Sequence, residues 1–214
     1  MGEKEKSMMM EKYVFEAKTE EELLPLAIKE LNTSESNLYY QTKEVESGKL
    51  FKSKKYQMEV YKKDDVIQYI KNYIQELSQK MDLPIQAEIR VEDTNFQIQL
   101  YSENNAILIG KEGRTMNAIQ TLLKQAVQNA IDYPLHIHLD VSNYRAKQEH
   151  NFEYEMKKLM KEVQRTKMDM KLEPMNSYQR RMIHNLATKF TNVTTFSTGE
   201  GKERYVTIHY EEEK

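Results

Sequence analysis

Two short stretches of this 214-residue chain combine residue types that can hold a phosphate group. The first is Ile109-Gly110-Lys111-Glu112-Gly113-Arg114. A Gly-x-x-Gly turn that opens directly into a helix leaves free backbone N–H groups with no side chain in the way, a cradle for phosphate oxygens. Lys111 and Arg114 supply counter-charge, whereas Glu112 repels an anion unless it points away. The second is Tyr178-Gln179-Arg180-Arg181-Met182-Ile183-His184. A spacing of four puts Arg180 and His184 about 40° apart on a helix wheel, beside the stripe formed by Met182, Ile183, Leu186, Ala187 and Phe190. A guanidinium can grip a phosphate with two donors while an imidazole one turn away adds a third, and Arg181 adds charge next to them. A tight turn without a ligand and a solvated helix face are the bland alternatives.

Other candidates carry less. His136 and His138 share one face of an alternating strand, with no third ligand at a recognisable spacing, so they read as its polar side and no metal is expected. Asp64-Asp65 and Glu20-Glu21-Glu22 read as helix caps and first-turn acids. Tyr39, Tyr40, Tyr56 and Tyr61 could stack bases, but half-buried sheet packing explains them as well. The chain shows no nucleophile-elbow, Walker or dinucleotide loop. No catalytic residue and no cofactor are expected.

Composition narrows the classes. The absence of Cys excludes disulfide scaffolds and thiolate sites. The 13 Met and 14 Tyr supply adaptable and amphipathic core residues. Ala106 to Ile109 is the longest apolar run, far below a membrane span, and the start lacks a signal-peptide apolar region. A cytoplasmic protein without membrane insertion is expected. The net charge of −2 argues against a broad electrostatic footprint on nucleic acid. Charge is unevenly placed, however: residues 81–150 sum to −3 and residues 151–214 to +2, and all seven Arg lie beyond residue 80.

The elements that must position these groups follow from periodicity. Residues 1–10 read as a flexible start. Residues 11–62 read as a β-α-β-β unit, with Thr19 and Glu22 at capping-box spacing before a helix through Leu31 and a turn near Gly48. Residues 64–142 read as α-β-β-α-α-β: Asp64 as N-cap, a helix through Met81, strands 85–91 and 96–100, a short helix 105–109, the Gly-x-x-Gly turn, a longer helix and a strand 135–141. Residues 143–212 begin with a long helix. Residues 169–173 are ambiguous; a helix capped by Asn176 or Ser177 then precedes two strands around Thr198 to Gly201. The fold class is α+β in three small domains.

The α-β-β-α-α-β order with its Gly-x-x-Gly turn resembles a type II KH domain, although Glu112 departs from the basic or neutral residue common there. Helix-then-two-strands carrying Arg-x-x-x-His resembles the R-3-H domain. Joined, with Leu139-Asp140-Val141, Tyr144-Arg145 and Leu172-Glu173-Pro174-Met175-Asn176, they resemble the Jag family of bacterial SpoIIIJ-associated RNA-binding proteins, also called KhpB or EloR. The first unit is similar to the Jag N-terminal domain. The resemblance implies single-stranded RNA as ligand, a small KH-only protein or a second copy as partner, and a role in cell elongation and division. It places RNA at Gly110, Lys111, Glu112, Gly113 and Arg114, and at Arg180, Arg181 and His184. The reading of the loop as a phosphate grip predicts that Gly110→Asp with Gly113→Asp weakens RNA binding while the fold stays native. The alternative is a protein-interaction scaffold or dimerisation module with a degenerate KH unit.

Overall fold

Wherever apolar and polar residues alternate, the chain forms a strand whose apolar side faces a helix. The computed structural model describes residues 10–47 and 53–212; the turn expected near Gly48 lies outside them. Strands β1 (Tyr13–Ala17), β2 (Leu38–Ser47) and β3 (Ser53–Lys62) form an antiparallel sheet in the order β1-β3-β2. Helix α1 (Leu23–Leu31) covers one face, burying Leu23 and Ala27 against Leu38, Met58 and Val60. The expected capping box at Thr19 does not form. A single 3-10 turn, Glu20–Glu22, intervenes before α1, and the Thr19 side chain makes no cap. Glu20 accepts a hydrogen bond from the Thr42 hydroxyl instead, at 2.6 Å.

Strand β3 runs into helix α2 (Lys63–Lys80) with no linker, so Lys62, not Asp64, occupies the N-cap position. Asp64 and Asp65 fall within the first turn, where the helix dipole favours acids. Strands β4 (Gln86–Glu92) and β5 (Asn95–Tyr101) form a hairpin around Asp93-Thr94, with Asp93 left-handed at φ 52°. Helices α3 (Asn105–Ile109) and α4 (Arg114–Ala130) lead to β6 (His136–Val141), which pairs parallel to β5. Phe96, Ile98, Leu100, Leu123, Val127 and Leu139 are buried between this sheet and its helices. His136 and His138 face away from them, exposed on the open side of the sheet.

The remaining elements are α5 (Tyr144–Thr166), β7 (Met170–Lys171), α6 (Ser177–Ala187), β8 (Val193–Thr198) and β9 (Tyr205–Tyr210). The third sheet has the order β7-β9-β8, with α5 and α6 packed on Val193, Val206 and Ile208. Strand β7, only two residues long, settles the ambiguous stretch before Pro174. No described helix is long and apolar enough to cross a membrane.

The chain forms two compact units, one up to Asn143 and one from Tyr144 onward. Within the first, Tyr39 joins the N-terminal sheet to the β4-β5 hairpin. Its neighbour Tyr40 packs on the α1 side; the Tyr39 ring turns the other way, 3% exposed, and stands 6.3 Å from the ring of Phe96 and 5.1 Å from that of Tyr133. Its hydroxyl donates to the Asp93 carbonyl at 2.6 Å, and burial pushes its pKa up. Gln41 adds a bond from Nε2 to the Asp132 carbonyl at 2.7 Å. Tyr61 is buried as well, while Tyr40 and Tyr56 are half-buried against the core. Packing, not base stacking, accounts for these four rings. Tyr39→Phe should cost about 1 kcal/mol through the lost hydrogen bond, and Tyr39→Ala about 3–5 kcal/mol through the cavity left behind, both read from urea unfolding.

Candidate nucleic-acid interface

The Gly-x-x-Gly turn is held from both sides. Asn105 anchors α3, accepting from the Ser102 N–H at 2.9 Å and donating to the Ser142 hydroxyl at 2.9 Å. The helix ends where Gly110 takes φ 68° and ψ −177°, a region essentially closed to other residues. A Cβ at Gly110 would run into the Thr115 hydroxyl and stand 2.8 Å from the Thr115 Cβ. Glu112 (φ 55°) and Gly113 (φ 78°) are left-handed, and Gly113 is buried as the N-cap of α4. A glycine cap has no side chain, so no side-chain cap occupies the first N–H groups of α4. Lys111, Glu112 and Arg114 project into solvent at the tip. Glu112 Oε2 lies 3.5 Å from Arg114 Nη2. The acid is thus answered by its own neighbour, in an exposed pair that is weak and open to exchange for a phosphate.

These details correct one expectation. Replacing Gly110 and Gly113 together strains the backbone at two positions and drives a side chain into Thr115, so the fold cannot be taken as untouched. Lys111 and Arg114 are the positions where charge can be removed without backbone cost. Gly110→Ala should cost at least about 1–3 kcal/mol from backbone strain, whereas Lys111→Ala should leave the urea midpoint unchanged.

The second site sits on α6. Asn176 caps this helix in a full capping box: its side chain accepts from the Gln179 N–H at 3.0 Å, and Gln179 Oε1 accepts from the Asn176 N–H at 3.3 Å. That box starts the helix at Ser177 and sets which residues face β8. Arg180 and His184 come out on the same side, both half-buried. Arg180 Nε is buried without a hydrogen-bond partner, and Arg180 forms no ion pair among the described residues. The His184 ring is held at both nitrogens: Nδ1 lies 2.7 Å from the Thr195 hydroxyl and Nε2 lies 3.0 Å from the Ser197 hydroxyl. The imidazole expected to donate to a phosphate is therefore already engaged with two hydroxyls of β8. Sequence reading passed over Thr195 and Ser197. The available signal was their alternation on a strand with Val193, which turns all three toward the helices.

Arg181 is not brought to this pair. It is exposed and lines a cavity of about 360 Å³ with Glu149, Glu153, Tyr178, Asn185 and Lys189. There the Tyr178 hydroxyl donates to Glu149 at 2.7 Å, a bond that raises the tyrosine pKa.

A sheet-and-helix body with a Gly-x-x-Gly turn, followed by a unit carrying Arg-x-x-x-His, defines a tandem of a KH and an R-3-H domain. Residues 67–138 match the family described as KhpA/KhpB, KH domain, and residues 153–210 match the R-3-H domain. The chain is 29% identical over 201 residues to RNA-binding protein KhpB of Clostridium symbiosum, covering 92% of this chain and 90% of that one. It is 30% identical over 155 residues to RNA-binding protein KhpB of Bacillus subtilis, covering 72% and 74%. The match to RNA-binding protein KhpB of Lactiplantibacillus plantarum, also 30% identical, covers 65% of this chain and 42% of that one. The chain belongs to the KhpB family, the Jag-type proteins.

Proposed function

We propose that the chain is a non-enzymatic RNA-binding protein that holds single-stranded RNA by its backbone at two separate places. One is the turn formed by Gly110, Lys111, Glu112, Gly113 and Arg114; the other is the α6 side formed by Arg180 and His184, while Arg181 adds charge on a different side of the same helix. Relatives named RNA-binding proteins support the ligand class. The observation that carries the reading is Arg180: a half-buried guanidinium with an orphaned Nε and no ion pair among the described residues. A buried donor left unpaired costs free energy, and an anion with oxygens in one plane offsets it by accepting two bonds. Of the Thr195 and Ser197 hydroxyls, the one that accepts the His184 N–H keeps its own O–H for an anion, while the other donates to the ring.

Neither site has a large charge surplus, so each is weak alone. Joined on one chain they act by effective concentration, which reconciles RNA binding with a net charge of −2. The protein would act in the cytoplasm as a post-transcriptional regulator; the link to cell elongation and division rests on the family resemblance. Arg180→Ala should lower the slope of log affinity against log salt by about 0.7, one phosphate on a single strand, and Arg180→Lys should not restore full affinity. An unaltered slope removes Arg180 from the site. RNA incubated with the protein and magnesium should remain intact.

A second reading is favoured by two side chains of the KH body. Ile107 on α3 and Leu122 on α4 are about half exposed, at 49% and 53%, large apolar groups of the kind found at protein contacts. They suit a small KH-only protein or a second copy of this chain. Leu122→Glu should shift the protein toward monomer in light scattering while RNA affinity at the α6 site is retained.

A further inference from the structure

The three sheets differ in what their helix-free faces show to water. On the β4-β5-β6 sheet that face carries exposed Glu88, Arg90, Gln97, His136 and His138 and one half-exposed ring, Tyr101, whose hydroxyl lies 3.5 Å from Glu88. On the N-terminal sheet it carries Val14, Glu16, Glu59 and Lys43, with no exposed ring among the described residues; Val14 is 47% exposed and Glu59 pairs with Lys43 at 2.6 Å. The β7-β9-β8 sheet is different. Its register sets Thr194 opposite His209, Phe196 opposite Thr207, and Thr198 opposite Tyr205, with Lys171 opposite Thr207 on the other side. Residues opposite each other share a face. Tyr205 and His209 lie on β9 either side of Thr207, and Phe196 on β8 faces Thr207, so the three rings form a bent row with Phe196 at the bend, flanked by threonine hydroxyls.

The row is open and held in place. Phe196 is 48% exposed, and its ring centroid lies 6.2 Å from that of His209. His209 is fixed by Asp169, which accepts its Nδ1–H at 2.7 Å and the Tyr210 N–H at 3.1 Å. Both bonds hold the Asp169 carboxyl below its ordinary pKa, and they engage the charge that would otherwise face an incoming phosphate. Lys171 Nζ lies 4.2 Å from the Tyr205 ring centroid, within cation–π range. Phe196 also stands between Thr195 and Ser197 in sequence, the two residues that turn inward to hold His184. The edge strand β8 thus presents the Arg180–His184 site on one face and the exposed ring on the other.

We propose that this open face is a base-stacking platform for single-stranded RNA. Phe196 is its central ring, Tyr205 and His209 flank it, and Lys171 meets the backbone. The proposal rests on the RNA-binding reading and extends it from backbone to bases. Aromatic rings spread over a sheet, interleaved with hydroxyls and a cation, are what unpaired bases stack on. Large contiguous apolar patches mark protein contacts, and here the one phenyl side chain is flanked by Thr194, Thr198 and Thr207.

The test uses the full chain and a fluorescein-labelled oligouridylate of about 12 nucleotides, long enough for a single-strand site. Phe196→Ala should weaken binding about 5- to 100-fold, the range for losing one stacked base, with the salt slope unchanged because no phosphate contact is lost. Phe196→Leu should lose as much as Ala, whereas Phe196→Tyr should stay within about twofold; circular dichroism monitors the fold of each. The chain has no Trp, so Phe196→Trp places a single reporter whose fluorescence the RNA should quench, while Val14→Trp on the N-terminal sheet should not respond. Wild-type binding with Phe196→Ala within about twofold overturns the platform and leaves the Arg180 reading standing. Full retention by Phe196→Leu also overturns it, by showing that the face needs an apolar group and not a ring. Absence of wild-type binding overturns both.

Discussion

A three-stranded sheet with helices on one side leaves half of its side chains facing away from them, and the described residues build three such sheets. Each body is small, so the helix-covered face must be almost wholly apolar to hold together. The buried side chains bear this out: every one of the fully buried large residues is hydrophobic, from Leu23 and Met58 to Phe96, Leu139 and Met160. Polar groups are consequently confined to open faces, helix ends and sheet edges. Binding chemistry can be placed only there, and the two proposed sites occupy a helix start and a sheet edge.

The same constraint explains how the sites are held. At Gly110 the backbone adopts a conformation that only glycine takes without strain, and Thr115 fills the space a side chain would need. The first glycine is therefore required by the turn itself, and the backbone there is left bare. At His184 the imidazole commits both nitrogens to Thr195 and Ser197. It acts as a bracket between α6 and the edge strand, and leaves Arg180 as the group still lacking a partner at Nε. The capping box at Asn176 sets the helix phase on which this depends.

Much of this was legible in the sequence because its signals are local. Alternation at Phe96 to Leu100 and at Leu135 to Val141 marks strands, and the Asn176 cap and the Gly-x-x-Gly turn mark helix boundaries. What was hidden depends on contacts distant in sequence. Tyr39 reads like Tyr40 until the β4-β5 hairpin is seen to accept it. Thr195 and Ser197 look like ordinary strand residues until α6 brings His184 between them. Strand β7 is two residues long and exists only because β9 lies beside it. The caps assigned to Thr19 and Asp64 failed for a related reason: the neighbouring 3-10 turn and the direct run of β3 into α2 fix where each helix begins.

RNA is proposed to touch two small surfaces, one on each compact unit. Ultraviolet cross-linking of the full chain to single-stranded RNA, with the cross-linked peptides mapped by mass spectrometry, tests it directly. Cross-links are predicted in the segment spanning residues 105–121 and in that spanning residues 177–204. Cross-links confined to the N-terminal sheet, or to one unit alone, would contradict the account.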